Sequence, residues 1–241
     1  MIPQWMSRTQ LLLGDEKMEK LTNANVLVVG LGGVGGVAAE MVARAGVGKM
    51  TLVDADVVEA SNRNRQLPAL VSTDNMLKAE VIAQRLRDIN PEIELTILNE
   101  YIRDTRIDEI LDAQKYDYAM DCIDTLSPKV FFIKACKERK IPLVSSMGAG
   151  GKVDPTLVRI GDISKTQNCH LAKYVRKYLH RLGIFRGVTV VYSLEIADQS
   201  RVVATPSETK KKSVIGTISY LPAIFGCTCA SVVIRGLYGR K

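Results

Sequence analysis

At a strand end the chain carries two carboxylates, Asp54 and Asp56, and by Gln66 it adds Asn62, Asn64, Arg65 and Gln66, a dense set of amide and guanidinium groups. About one strand–helix–strand unit earlier lies Gly30-Leu31-Gly32-Gly33-Val34-Gly35. A glycine turn that opens a helix offers backbone N–H groups and the positive end of the helix dipole to a phosphate. The same turn can serve only close helix–strand packing, and its spacing does not choose between NAD and ATP. Asp54, at a strand end, suits hydrogen bonds from the ribose hydroxyls of either nucleotide. Asp56 fits a turn or capping role as well as a ligand contact. For Asn62 to Gln66 the plain alternative is a solvated loop, yet Arg65 can fork two N–H groups onto phosphate oxygens. An NAD enzyme has no evident use for a second polyphosphate clamp beyond its ribose acid. An enzyme that cuts ATP between its α- and β-phosphates does.

Further groups extend this chemistry. Lys78, in Leu77-Lys78-Ala79-Glu80, can supply a point charge to the same anion or sit on a helix surface. Asp124, in Asp121-Cys122-Ile123-Asp124, is placed either to hold Mg²⁺ bridging ATP phosphates or to cap a helix beginning near Ser127. In the basic segment 165–187, Lys173, Lys177 and Arg181 fall at i, i+4 and i+8, with Tyr174, Arg176, Tyr178, His180 and Arg186 among them. Such a stripe is a solvated face or a phosphate-binding one, and a formal net charge of +7 permits a polyanionic partner such as RNA without naming it. His170 and His180 have no partner visible in the sequence and receive no catalytic role.

These groups need a scaffold that gathers strand ends. Asn25 to Gly30 is an apolar, β-branched run ending in glycine, which predicts a buried parallel strand. Val34 to Ala45 predicts a helix and Lys49 to Val53 the next strand. Then follow a helix over Asp74 to Asn90 stopped by Pro91, a strand over Glu92 to Asn99, a helix over Thr105 to Ala113, a strand over Tyr116 to Asp121, a helix over Ser127 to Arg139 and a strand over Ile141 to Ser145. This alternation predicts a Rossmann-like, doubly wound, mostly parallel α/β sheet. Residues 1–21 read as a short arm and helix. Beyond residue 146 a flexible turn, Met147 to Gly151, leads to strands at Leu157 to Ile160, Val188 to Leu194 and Arg201 to Ala204, read as an antiparallel extension. A polar loop over 205–217, containing Lys210-Lys211-Lys212, precedes an apolar helix from Ile218 to Leu237. The expected organisation is one domain over 1–241, with a nucleotide-binding core at 1–146 and a substrate-side extension at 147–241.

Composition narrows the class. No apolar run reaches transmembrane length; Leu221 to Ile234, interrupted by Pro222 and Gly226, reads as a buried helix, with a membrane-surface contact left open. The five cysteines form no C-x-x-C pair and only two histidines are present, so no structural zinc site is expected. Scattered cysteines without a signal peptide point to the reducing cytoplasm.

Gly30 to Gly35, Asp54 to Gln66, Lys78 and Asp124 together resemble the adenylating domain of the ubiquitin-activating superfamily. The resemblance implies that ATP turns a carboxylate into an acyl adenylate, with Gly33 and Asp54 at nucleotide-binding positions, Arg65 and Lys78 as the phosphate-binding pair and Asp124 as the magnesium-associated acid. Arg8, in Arg8-Thr9-Gln10-Leu11-Leu12, resembles the N-terminal arginine that reaches into the partner subunit's site, which implies a homodimer. Sulfur-carrier activators of that superfamily usually bear two C-x-x-C zinc pairs and a downstream thiol; this chain lacks the pairs. Ile141 to Thr156 and Asp162 to Thr166 are instead similar to the tRNA threonylcarbamoyladenosine dehydratase branch, over nearly the whole chain. That likeness implies ATP and Mg²⁺ as cofactors, tRNA as partner and room for a sulfur-relay protein. Where some relatives carry a cysteine before the last helix, this chain has Lys210 to Gly216, so a thioester there is not supported. Direct ring closure of an acyl adenylate needs no thiol; Cys227 or Cys229 could substitute for the missing cysteine, but both read rather as buried in the last apolar helix. Three other readings stand beside this one: an activator of a ubiquitin-like sulfur carrier, an NAD-dependent oxidoreductase, and a nucleotide-bound RNA-binding scaffold.

Overall fold

The run Asn25–Val29 forms β1 and is buried along its whole length, which demands cover on both faces. The computed structural model describes residues 2–198, 202–204 and 213–239. In it β1 lies inside a seven-stranded sheet with β2 (Lys49–Val53), β3 (Glu94–Leu98), β4 (Tyr118–Asp121), β5 (Leu143–Ser146), β6 (Val158–Asp162) and β7 (Thr189–Ser193), ordered β3-β2-β1-β4-β5-β7-β6. Every neighbouring pair is parallel except β6 with β7.

Strand periodicity divides the core. Val26 and Val28 point to one face with Met50, Leu52, Met120 and Val144, under α3 (Gly35–Arg44), α4 (Lys78–Ile89) and α8 (Tyr220–Tyr238). Leu27 and Val29 point to the other with Val53, Ala119, Leu143 and Val190, under α5 (Thr105–Asp112), α6 (Leu126–Glu138) and α7 (His170–Arg181). Helix α7 shows the pattern plainly: Ala172, Val175 and Leu179 are buried while its lysines face outward.

The expected mostly parallel, doubly wound sheet is present, with informative differences. The N-terminal helix is two, α1 (Ser7–Leu13) and α2 (Asp15–Thr22), because Gly14 at φ 80° breaks the turn between them. The helix expected from Asp74 begins only at Lys78: Asn75 is left-handed at φ 63°, and Leu77 makes an isolated bridge with Val57. Strand β7 is antiparallel to β6 but parallel to β5, so the extension continues the main sheet rather than forming a separate layer. Ser213–Ile215, expected within a loop, is strand β9 and pairs antiparallel with β8 (Val202–Ala204). Arg201 and Lys210 to Lys212 lie outside the described residues. Helix α8 is long and apolar enough to cross a membrane. It packs on α3 and α2, with Leu221, Phe225, Cys229 and Val233 in the core. Pro222 sits at its third residue, where the backbone N–H has no intrahelical partner to lose.

Between β4 and β5 lies a charge that the sheet fully encloses. Lys129 Nζ, with no exposure, donates to Asp121 Oδ2 at 2.7 Å, Ser145 Oγ at 3.2 Å and the Ser146 carbonyl at 2.9 Å. Asp121 also accepts from Ser145 Oγ at 2.5 Å and from the Ile123 N–H at 3.1 Å, so one ion pair fixes two strand ends and the start of the 122–125 loop. Lys129→Met should strand a buried carboxylate and cost about 3–5 kcal/mol in denaturant titration. Adding Asp121→Leu should recover much of that loss; a single variant as stable as the parent would contradict the assignment.

Candidate active site

The chain runs outward from β1 through β2 to β3, then returns to β4 on the other side of β1. Such a reversal opens a crevice at the carboxyl ends of the two central strands. The glycine turn leaves β1 there and the Cys122–Thr125 loop leaves β4. Gly30 has φ 87°, and a Cβ on it would lie 2.8 Å from the Cys122 carbonyl oxygen. A Cβ on Gly35 would lie 1.7 Å from the Gly30 carbonyl oxygen. These two glycines are demanded by packing. A Cβ on Gly33 would stand 3.0 Å from Pro222 and 3.1 Å from the Arg65 carbonyl, so the turn, the clamp segment and α8 meet at this point. At Gly32 a Cβ would meet nothing closer than Gln66 at 3.8 Å, so the chain's own packing leaves that stretch of backbone open to approach.

Asp54 joins the two motifs. Its buried carboxylate accepts from the Leu31 N–H of the glycine turn at 2.6 Å and from the Asp56 N–H at 2.8 Å. Burial pushes the carboxyl above its usual range, the two N–H donors and Lys78 offsetting part of the shift. Lys78 is buried, the first residue of α4, with its backbone N–H on the Asp56 carbonyl and Nζ 3.0 Å from Asp56 Oδ2. The surface alternative for this lysine is therefore set aside. Tyr101, which sequence spacing did not single out, donates its hydroxyl to Asp56 Oδ1 at 2.9 Å.

The Asn62–Gln66 segment is a compact turn rather than an open loop. Asn62 is buried; its carbonyl accepts from the Arg65 and Gln66 N–H groups and its Oδ1 accepts from the Glu59 N–H at 3.3 Å. Expected as a nucleotide contact, its side chain is spent on shaping the turn. Asn64 Nδ2 donates to the Thr217 carbonyl at 2.9 Å, which ties the clamp to the approach of α8. Arg65 is half-buried; Nη1 donates to the Ser61 carbonyl at 3.0 Å and to Asn64 Oδ1 at 2.7 Å, leaving Nε and Nη2 uncommitted among the described residues. Gln66 Oε1 is buried without a partner among the described residues, and its Nε2 is the group nearest to a Cβ on Gly32.

Asp124 is exposed at the carboxyl end of β4, and the N-cap of α6 is Thr125, not Asp124. No group of three metal-ligating side chains exists among the described residues. One carboxylate at the crevice suits Mg²⁺ brought by a nucleotide, since that ion keeps several waters and binds through one or two carboxylates plus phosphates. Arg8 stands apart: Met6, two residues before it, packs on Gly46 just beyond α3, at the end of that helix opposite the glycine turn. Arg176, a candidate for RNA contact beside the stripe, turns inward. Its Nη1 donates inward to the Thr166 and Ile163 carbonyls, whereas Lys173, Lys177 and Arg181 remain on the exposed face. All five cysteines are free thiols. Burial pushes the Cys122 thiol up to about 12 and the Cys229 thiol well above its ordinary range, so neither is a poised nucleophile.

The crevice thus presents open backbone at Gly32, a ribose-type acid, and two cations at one carboxyl end of the sheet, an arrangement suited to a nucleoside triphosphate. The family model described as the ThiF family matches residues 6–241. The tRNA threonylcarbamoyladenosine dehydratase of Bacillus subtilis is 45% identical over 197 residues, 82% of this chain and 76% of that protein. The crystal structure of the Escherichia coli tRNA N6-threonylcarbamoyladenosine dehydratase in complex with ATP matches with a TM-score of 0.88 at 34% identity, covering 98% of this chain and 94% of that one. The molybdopterin-synthase adenylyltransferase of Haemophilus influenzae is 36% identical over 127 residues, 53% of this chain and 51% of that protein. The family match takes in the N-terminal helices, the glycine turn, the clamp and the terminal helix alike, and the chain belongs to the ThiF family.

Proposed function

We propose that this protein uses ATP to adenylate the threonyl carboxylate of threonylcarbamoyladenosine in tRNA and then closes it into a ring with release of AMP. The observation that carries the adenylation half is the junction at Asp54, where glycine turn and cationic clamp are fastened to one carboxylate. The substrate half is supported by dehydratase relatives that align over most or all of the chain, where the molybdopterin-type activator aligns over 53% of it. A carboxylate oxygen attacks the α-phosphorus in line and pyrophosphate leaves. Arg65 and Lys78 stabilise the charge developing on the leaving group, and Asp54 orients the ribose. Asp124 is the group that would hold Mg²⁺, which when bound adds neutralising charge to the phosphates. An atom of the carbamoyl group then attacks the activated carbonyl carbon, AMP departs, and the carbamoyl proton is lost; the water removed from the RNA is accounted for by the split of ATP. Positioning dominates such chemistry, which fits a site without a histidine base.

The whole chain acts as one adenylating domain in this reading. Lys173, Lys177 and Arg181 on α7 are its RNA-facing cations. Arg8 enters the site of a second copy: α1 buries none of its residues, and Leu11 and Leu12 on it are 89% and 81% exposed, a face suited to a homodimer. A sulfur-relay protein would be a further partner. The free state of all five thiols supports a cytoplasmic location. The second reading, adenylation of a sulfur-carrier C-terminus, is favoured by the partial match to the molybdopterin-type activator over 53% of this chain.

Pyrophosphate release measured with tRNA bearing threonylcarbamoyladenosine, unmodified tRNA and a sulfur-carrier protein separates the two; turnover with the carrier alone refutes the proposal. Arg65→Ala and Lys78→Ala should each lower pyrophosphate release by about 10²–10³-fold with the fold intact by circular dichroism. Loss of the folded signal instead would make these structural residues. The sign of a pH effect follows from Asp54: ribose hydroxyls donate to its ionised form, and its carboxyl is raised, so ATP affinity should weaken on acidification sooner than an ordinary aspartate allows. Asp54→Asn should bind ATP more weakly and lose that acid limb, as read by calorimetry across pH.

A further inference from the structure

A cleft of about 370 Å³ lies at the start of α7, away from the nucleotide crevice. Its walls are the 166–170 segment, the outer face of α7 and Ile196–Ala197, which follow β7. Because β7 runs parallel to β5, this cleft opens at the same end of the sheet as the glycine turn. A single loop divides the two. A Cβ on Gly148 would lie 3.8 Å from Cys169 Sγ and from Leu171, and one on Gly151 would lie 3.1 Å from Ala197. On its other flank a Cβ on Gly150 would lie 3.2 Å from Thr217 Oγ1, and Thr217 accepts the hydrogen bond from Asn64 of the clamp.

The lining has two characters. Lys173 and His170 are exposed at the rim, and their side chains make no hydrogen bond or ion pair among the described residues. Arg176, held by the Thr166 and Ile163 carbonyls, adds a fixed positive charge. In the same lining Ile196 is 78% exposed, an apolar surface that the described residues leave open. Asn168, exposed and left-handed at φ 52°, is held by a 2.7 Å bond from Nδ2 to the Leu194 carbonyl. A lysine, a fixed arginine and an imidazole beside an apolar wall and amide groups match a nucleotide: phosphate on the donors, base against the isoleucine. From the rim, Lys173, Lys177 and Arg181 continue along α7 with Tyr174 and Tyr178 beside them, both more than 40% exposed. Aromatic faces interleaved with cations are what single-stranded nucleic acid stacks on.

We propose that this cleft is a subsite for the nucleotide adjacent to the one being adenylated, its phosphate on His170 and Lys173 and its base against Ile196. The inference rests on the tRNA reading above and adds to it where the neighbouring nucleotide goes. A modified adenosine reaching the clamp past the 147–151 loop would leave its neighbour on the cleft side of that loop. The subsite selects for an unpaired strand, because a base stacked in a duplex cannot reach the isoleucine.

The test compares the parent protein with His170→Ala and Ile196→Asp, both surface changes. The substrates are tRNA bearing threonylcarbamoyladenosine and two shortened oligonucleotides ending at the modified adenosine on its 5′ or 3′ side. Each variant should raise the KM for tRNA about tenfold while kcat stays within about twofold, as expected for a lost stacking or phosphate contact made equally before and during reaction. ATP affinity, measured by calorimetry, serves as the check of folding. With one of the shortened oligonucleotides the difference between parent and Ile196→Asp should vanish, since no neighbour remains to fill the cleft. Unchanged KM for tRNA in both variants, with an active parent, overturns the subsite and leaves the adenylation proposal standing. A persistent difference with both shortened oligonucleotides also overturns it. A parent protein that releases no pyrophosphate with modified tRNA overturns both.

Discussion

One buried carboxylate holds the site together. Asp54 accepts one N–H from the glycine turn and another from the loop that leads into the clamp, so the two motifs cannot shift independently. The arrangement carries a cost, since burial disfavours the ionised form on which those hydrogen bonds depend. Two backbone donors and Lys78 offset part of that cost, and a ribose would supply further donors to the same oxygens. The site is therefore set up to be completed by a nucleotide rather than to be self-sufficient.

The remainder of the scaffold serves that junction. Gly30 and Gly35 let β1, α3 and the end of β4 approach more closely than any side chain allows, which brings the turn and Asp124 to a common edge. Lys129, enclosed with Asp121 and Ser145, anchors the strand end from which the Asp124 loop departs. A buried ion pair contributes little to net stability by itself, but here its hydrogen bonds fix which way two strand ends point. Thr217 closes the other side by receiving Asn64, so the residues preceding α8 form a wall of the clamp.

The carboxyl-terminal half turns a nucleotide-binding sheet into one with room for a large substrate. By adding β7 in parallel it extends the reactive edge, and α7 then covers one face with Lys173, Lys177 and Arg181 outward. Cys169 serves it structurally, its Sγ accepting the Ala172 N–H at the start of α7, while burial keeps Cys122 and Cys229 protonated. Ring closure within an acyl adenylate places no demand on them, because attacking and leaving groups already share one molecule.

The amino-acid sequence alone was sufficient to single out the candidate site residues that lie in short motifs. The glycine turn, Asp54, Arg65, Lys78 and the strand-end Asp124 are recognisable because a phosphate-binding turn needs donors at short, fixed spacing. The doubly wound sheet was legible through about residue 146 for a similar reason, since each strand and helix writes its own period. Tertiary structure decided what each group spends its bonds on. Asn62 turned inward, Arg176 was consumed by carbonyls ten and thirteen residues away, and Asn64 found Thr217 across a separation of 153 residues. Lys129, which reads as an ordinary helix lysine, became the enclosed partner of Asp121, and Lys78 became a buried one of Asp56. Arg8 was carried to the far end of α3 from the turn. Local spacing specifies a turn or a helix face, but which distant residue completes a hydrogen bond is fixed only when strands pair and the two faces of the sheet are covered.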